Sequence, residues 1–123
     1  MKKKIKIVVI GTGLMGLQHI KAITRSNKTD IHSIVGINDS AKNLSKKFKV
    51  PLYKSTKELL LKKKPDAAII ATPNQLHEKH TIDLLKLKIP VLLEKPISDN
   101  IKAAKRIVNI SKRYKTPLLI GYH

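Results

Sequence analysis

Residues 4–16 read KIKIVVIGTGLMG and join an apolar, β-branched run to a glycine-rich loop. The run at residues 4–10 predicts a buried strand, because Ile and Val favour extended backbone and parallel strands are covered on both faces. The spacing of Leu14, Leu17, Ile20 and Ile23 predicts that residues 14–26 form a helix with one apolar face. The segment therefore indicates a strand, a tight turn and a helix.

The turn has the pattern G-x-G-x-x-G, formed by Gly11, Thr12, Gly13, Leu14, Met15 and Gly16. At a strand–helix junction, the first glycine permits the tight turn and the second lets a pyrophosphate approach the backbone. The third lets the helix pack closely on the strand, and the free N–H groups at the helix start attract the anion. These six residues are predicted to bind a dinucleotide. The alternative is that the glycines serve only the tight turn and bind no ligand.

Strand-like and helix-like segments alternate along the rest of the chain. Strands are predicted at residues 4–10, 31–38, 51–53, 67–71, 91–93 and 118–120, and helices at residues 14–26, 41–48, 55–61, 74–87 and 98–114. Such alternation predicts right-handed βαβ units and a parallel sheet covered on both faces. We therefore expect an α/β fold of one domain over residues 1–123, a doubly wound six-stranded Rossmann sheet in the order 3-2-1-4-5-6.

The composition limits the remaining functional classes. The chain has 26 Lys and Arg against 8 Asp and Glu, a net charge of +18, with no Cys and no Trp. Without Cys, disulfides and thiolate metal sites are excluded. The lysines are spread over every predicted helix and few aromatic residues accompany them, so we expect neither specific nucleic-acid binding nor membrane binding. A basic nucleic-acid or membrane-surface binder stays as an alternative, and the expected compartment is the cytoplasm.

Asp39 stands after the second predicted strand, where dinucleotide-binding domains place an acid for the ribose hydroxyls. Its carboxylate would repel a 2′-phosphate, so we expect NAD as the cofactor. Ser40 and Lys42 follow closely and leave NADP possible. The alternative is that Asp39 only caps the next helix.

Two further polar segments end predicted strands. The fourth strand runs into Ala71, Thr72, Pro73, Asn74, Gln75, Leu76 and His77, and the fifth into Glu94, Lys95 and Pro96. Ligands of open α/β sheets bind at the carboxyl ends of the strands, so both segments are candidate cofactor contacts. Lys95 is the candidate catalytic residue because of its position at this strand end, where an ammonium beside the cofactor can have a tuned pKa. The alternative is a solvated surface lysine, since Lys is the commonest residue type of the chain. We expect no metal site.

Together with the glycine loop, His19 and the terminal Gly121-Tyr122-His123, these segments resemble the Gfo/Idh/MocA family of oxidoreductases over the whole chain. The resemblance implies that the segment from Thr72 to His77 lies along the cofactor beside the nicotinamide ribose. It also implies that Lys95 faces the nicotinamide and orients the reacting hydroxyl, and that a cis peptide precedes Pro96. Hydride would then pass between nicotinamide and a sugar or polyol.

Family members continue into a larger C-terminal α/β domain that supplies the substrate pocket, and the 123 residues contain none of it. We therefore expect a cofactor-binding domain that is not catalytic alone, which would meet its sugar or polyol substrate only together with such a domain. A non-catalytic nucleotide-binding or partner-binding Rossmann module is the alternative. The sequence leaves the oligomeric state open.

Overall fold

The computed structural model describes residues 3–72, 77–94 and 101–121. Strands and helices alternate throughout these ranges, as the sequence predicts. The strands are β1 (Ile5–Ile10), β2 (Thr29–Val35), β3 (Leu52–Tyr53), β4 (Ala67–Ile70), β5 (Val91–Glu94) and β6 (Leu118–Gly121). The helices are α1 (Leu14–Arg25), α2 (Asp39–Phe48), α3 (Thr56–Lys62), α4 (His77–Lys86) and α5 (Ile101–Tyr114).

The six strands form one parallel sheet in the order β3-β2-β1-β4-β5-β6. The predicted strand order is therefore confirmed. The order reverses between β1 and β4, and at this switch point the carboxyl ends of neighbouring strands leave a crevice. The glycine loop follows β1 and Ala71 follows β4, so both predicted segments border that crevice.

Successive residues of each strand face opposite sides of the sheet, and each side has its own apolar core. Val8, Ile10 and Ile70 belong to a core that also holds buried side chains of α3, α4 and α5. Val9 and Ile69 belong to a second core with buried side chains of α1 and α2. The end of the strand that leads into the glycine loop is therefore buried from both sides.

Local sequence signals account for several helix ends. Ser55 followed three residues later by Glu58 predicts a capping box at the start of α3. The Ser55 side chain accepts a hydrogen bond from the Glu58 backbone N–H at 3.1 Å, so this cap is confirmed. Helix α2 ends at Lys49 in the left-handed conformation, with φ of 56°. In the described ranges, no helix is long and apolar enough to cross a membrane.

The structure corrects two details of the sequence prediction. Strand β2 ends at Val35 instead of residue 38, because Asn38 caps α2 and the helix begins at Asp39. The apolar spacing in residues 98–114 predicts Ile101 and Ile107 on the inner face of α5. Ile107 is buried, but Ile101 is 76% exposed and Ala103 is buried. The buried face of α5 therefore contains Ile107, and Ile101, in the first turn of the helix, does not pack against the core.

One side of the sheet stays partly uncovered toward β6. Strand β6 is the edge of the sheet in the described part of the chain, and its Leu119 is 65% exposed. Leu119 borders a shallow apolar hollow shared with Ile69 and Leu92.

Candidate cofactor site

The glycine loop is shaped by contacts that only glycine permits. Gly11 has φ of 100°, and a Cβ there would lie 2.7 Å from the backbone of Ala71. A Cβ at Gly16 would lie 2.1 Å from the carbonyl oxygen of Gly11, so α1 packs directly on the loop. These two glycines therefore bring β1, β4 and α1 together at the switch point.

Gly13 differs, because space is open around it. A Cβ on Gly13 would meet no heavy atom of the described residues within 4 Å. Gly13 is also the N-cap of α1, which has no side-chain cap and no acidic residue in its first turn. The backbone N–H groups at this helix start are available to an anion, and the missing side chain leaves it room to approach. The loop therefore fits a pyrophosphate.

Thr12, the first variable residue of the motif, ties the glycine loop to the start of α2. The Thr12 hydroxyl donates to Oδ1 of Asn38 at 3.2 Å, and the Ser40 hydroxyl donates to the Thr12 carbonyl at 2.9 Å. Asn38 Oδ1 also accepts from the backbone N–H of Ala41 at 2.9 Å, which caps α2. The two loops that border the crevice thus form one hydrogen-bonded unit.

A cavity of about 690 Å³ opens beside this unit. Its described lining comes from the ends of β1 to β4 and the starts of α3 and α4: Ile10, Gly11, Thr12, Gly13, Val35, Gly36, Ile37, Asn38, Lys54, Ser55, Thr56, Ala71, Thr72 and His80. Ligand sites of proteins typically have volumes of about 300–1,000 Å³ and apolar walls with a few polar groups. The cavity is therefore large enough for a substantial part of a dinucleotide.

Several predicted site residues meet at this cavity and others do not. Gly11, Thr12, Gly13, Ala71 and Thr72 line it, whereas Leu14, Met15, Gly16 and Asp39 are not among its lining residues. Asp39 is exposed in the first turn of α2, and Asn38, not Asp39, is the cap. The alternative role of Asp39 as helix cap is therefore wrong, and its predicted ribose contact stays a prediction.

Other predicted contacts fall partly or wholly outside the described residues. His77 begins α4, and His80 of the same helix lines the cavity. The predictions for Pro73 and Asn74, and those for Lys95 and Pro96 with its cis peptide, lie outside the described ranges.

The cavity is also lined by polar residues that were not predicted as site residues. Asn38 and Lys54 carry polar groups after β2 and β3, Thr56 is buried at the start of α3, and His80 lies one turn into α4. The Thr56 hydroxyl has no hydrogen-bond partner among the described residues. For Asn38, Lys54 and Thr56 the predicted sheet order was the available signal, because it places the ends of β2 and β3 beside the glycine loop.

Glu94 is buried at the end of β5 and pairs with His19 of α1. Glu94 Oε1 contacts His19 Nε2, and the two side chains are 7% and 19% exposed. This contact joins the helix that follows the glycine loop to the strand that precedes Lys95. Glu94 thus acts as a bridge between two predicted site segments, which its position in the sequence alone did not indicate.

Two pKa shifts occur at His32 and Glu78. Burial lowers the pKa of His32 below 6.5, and the nearby charge of Lys63 lowers it further. A hydrogen bond from Arg106 of α5 lowers the pKa of Glu78 in α4. In the ranges that the structure describes, no cluster of three His, Cys, Asp or Glu side chains has the arrangement of a metal site.

A doubly wound parallel sheet with a glycine loop at its switch point defines a dinucleotide-binding domain. Comparison with known proteins agrees: residues 5–122 match the model of the oxidoreductase family with an NAD-binding Rossmann fold, Gfo/Idh/MocA. The chain belongs to this family and is its NAD-binding Rossmann domain.

Curated relatives include the rhizopine catabolism protein MocA of Rhizobium meliloti, 28% identical over 97% of this chain and 38% of that protein. The inositol 2-dehydrogenase of Corynebacterium glutamicum (strain R) is 28% identical over 99% of the chain and 37% of its own length. The chain therefore spans less than two-fifths of these relatives.

Among solved structures, an NAD-binding protein from Listeria innocua superimposes with a TM-score of 0.85 at 26% identity, over 96% of this chain and 35% of that one. The WlbA dehydrogenase of Bordetella pertussis, in complex with NADH and UDP-GlcNAcA, has a TM-score of 0.91 at 23% identity, over 97% and 37% of the two chains. The second likeness concerns the fold alone.

Proposed function

We propose that this domain holds NAD(H) for hydride transfer between the nicotinamide and a hydroxyl-bearing carbon of a sugar or polyol. The observation that carries the proposal is the open space at Gly13, at the uncapped start of α1 and on the wall of a 690 Å³ cavity. The related inositol 2-dehydrogenases support a polyol as the substrate class. The proposed compartment is the cytoplasm, because cytoplasmic NAD(H) would supply the cofactor.

The residues of this chain would bind and orient the cofactor. The backbone at Gly11, Thr12 and Gly13, with the first turn of α1 at Leu14, Met15 and Gly16, would hold the pyrophosphate. Asp39 would face the adenosine ribose from the start of α2. When bound, NAD supplies the hydride acceptor itself, and the protein supplies its position.

At the nicotinamide end, the proposal assigns contacts to the residues after β4 and β5. Ala71, Thr72, Pro73, Asn74 and His77 would lie along the nicotinamide ribose. Glu94, Lys95 and Pro96 would approach the reacting carbon, where the Lys95 ammonium orients the substrate hydroxyl and stabilises its developing negative charge. The contact of Glu94 with His19 supports this assignment, because it anchors the strand end that precedes Lys95.

Titration of the chain with NADH, followed by calorimetry or by nicotinamide fluorescence, tests the proposal. We expect saturable binding by the natural chain. Gly13→Ala should weaken it by about tenfold or more, because the added methyl group enters the space that the pyrophosphate needs, and tenfold corresponds to about 1.4 kcal/mol.

The matched control is Ser26→Ala, at the opposite end of α1 and far from the cavity lining. It should bind NADH like the natural chain. Equal binding by the natural chain and Gly13→Ala, or binding by neither, would contradict the proposal.

A further inference from the structure

The cavity wall combines a cation with a lack of acidic groups. Among the described residues that line it, none is Asp or Glu, and Lys54 carries the single fixed positive charge. An acid after β2 is what normally rejects a phosphorylated ribose. The acid after β2 in this chain is Asp39, which is exposed in the first turn of α2 and is not among the described lining residues, so a cation in the wall would bind a phosphate against its repulsion.

Asn38 occupies the cavity wall where α2 begins, and it is neutral. Its Oδ1 already accepts two hydrogen bonds, from the Thr12 hydroxyl and from the Ala41 backbone N–H. An amide oxygen has two lone pairs, so this atom has no acceptor left for ribose hydroxyls. Asn38 thus neither repels a phosphate nor replaces a carboxylate.

Backbone pairing places Lys54 beside Asn38. The Gly36 N–H donates to the Tyr53 carbonyl at 3.0 Å. Gly36 stands two residues before Asn38, and Tyr53 stands one residue before Lys54. The segments that follow β2 and β3, with Asn38 and Lys54, then both line the cavity. The Lys54 side chain is exposed, and it forms no ion pair within the part of the chain that the structure describes.

We propose that Lys54 is a specificity residue that binds the 2′-phosphate of NADP(H), so that the domain accepts both nicotinamide cofactors. The inference rests on the proposed binding of the dinucleotide at this cavity and adds to it the recognition of one group. A lysine ammonium binds phosphate as a point charge on a flexible stem, which suits a residue at the rim of a site. NADH lacks this phosphate, so Lys54 contributes much less to its binding than to that of NADPH.

The test measures dissociation constants of NADH and NADPH for the 123-residue chain and for Lys54→Gln. We expect Lys54→Gln to weaken NADPH by about tenfold, the scale of one charge-assisted contact, and to leave NADH within about twofold. Lys57→Gln is the matched control, because Lys57 is also exposed at the start of α3 but does not line the cavity. It should leave both constants unchanged.

Salt gives an independent readout. The affinity of the natural chain for NADPH should fall more steeply with added KCl than that of Lys54→Gln, since screening acts on the charge that the variant removes. Circular dichroism spectra and melting temperatures verify that all variants fold.

Each result has a defined meaning. NADPH binding that is unaffected by Lys54→Gln, or equal losses for both cofactors, would overturn the assignment while NADH binding upheld the proposed function. If the natural chain bound NADH but no measurable NADPH, the assignment of Lys54 would be overturned and the proposed function would stand. A chain that bound neither NADH nor NADPH would overturn this inference and the proposed function together.

Discussion

Two glycines of the same motif have opposite structural consequences at the scale of single residues. A methyl group at Gly16 would lie 2.1 Å from the Gly11 carbonyl oxygen, whereas one at Gly13 would enter open space. Gly16→Ala must therefore displace α1 or the loop, and we expect it to lower the free energy of unfolding by about 2 kcal/mol or more. Gly13→Ala should unfold at nearly the same urea concentration as the natural chain.

Urea denaturation followed by circular dichroism separates these outcomes. If Gly13→Ala were the less stable variant, the assignment of Gly16 to packing and of Gly13 to ligand approach would be reversed.

Asp39 is exposed beside the cavity and is the nearest acid after β2. We expect Asp39→Ala to raise the affinity for NADPH relative to NADH by about fivefold, or about 1 kcal/mol, because it removes a negative charge near the ribose and one acceptor of its hydroxyls. Parallel titrations with both cofactors measure the ratio. Asp30→Ala is a suitable control, since Asp30 lies near the start of β2, and an unchanged ratio in Asp39→Ala would assign no cofactor role to Asp39.

At the scale of elements, His32 links β2 to the segment after α3. Its pKa lies below 6.5 because the ring is partly buried and near the charge of Lys63. Below pH 6.5 the unfolded chain therefore binds a proton that the folded chain does not yet bind, and stability falls as the pH drops toward the lowered pKa. Above pH 6.5 His32 is neutral in both the folded and the unfolded chain, and this loss of stability does not occur.

Melting temperatures between about pH 7.5 and 5 test this expectation. The natural chain should lose stability across the interval, and His32→Gln should lose less, since it removes one of the groups that take up protons. Equal losses would show that His32 is not the group responsible.

The sequence predicted the elements and their order because periodicity and glycine position are local signals. The strand before Gly11 and the cap at Ser55 were both readable from neighbouring residues. The start of α2 was not, since Asn38, Asp39 and Ser40 can all cap a helix, and the contact of Asn38 with Thr12 decides between them. Such a contact spans 26 residues and has no local signature.

The residues of the cavity wall also divide into those with a local sequence signal and those placed by contacts between distant segments. Ala71 and Thr72 were predicted from a motif, whereas Lys54 follows a strand of two residues whose place depends on pairing with β2. His80 has no obvious partner near it in the sequence, yet α4 brings it to the cavity.

At the scale of the whole molecule, the chain covers under two-fifths of the relatives it matches. We expect the 123-residue chain to bind NADH and, when supplied with NAD⁺, not to oxidise sugars or polyols. Positioning of the substrate supplies about 7–11 kcal/mol of an enzyme's effect, and the groups that position it are proposed to lie outside these residues. Absorbance of reduced cofactor over a panel of polyols, with and without a separately expressed C-terminal domain of a relative, measures this. Turnover by the chain alone would contradict the expectation.

The exposed edge of the sheet at β6 has a consequence for how the protein behaves in solution. In the part of the chain that the structure describes, Leu119 and the hollow beside it offer a second chain both unpaired backbone groups and apolar surface, and β6 itself carries no charged side chain to prevent such pairing. The opposing force is the net charge of +18, which acts between whole molecules and weakens as salt is added. Colloidal stability of this domain therefore depends on ionic strength, and concentrated samples should aggregate least at low salt concentration.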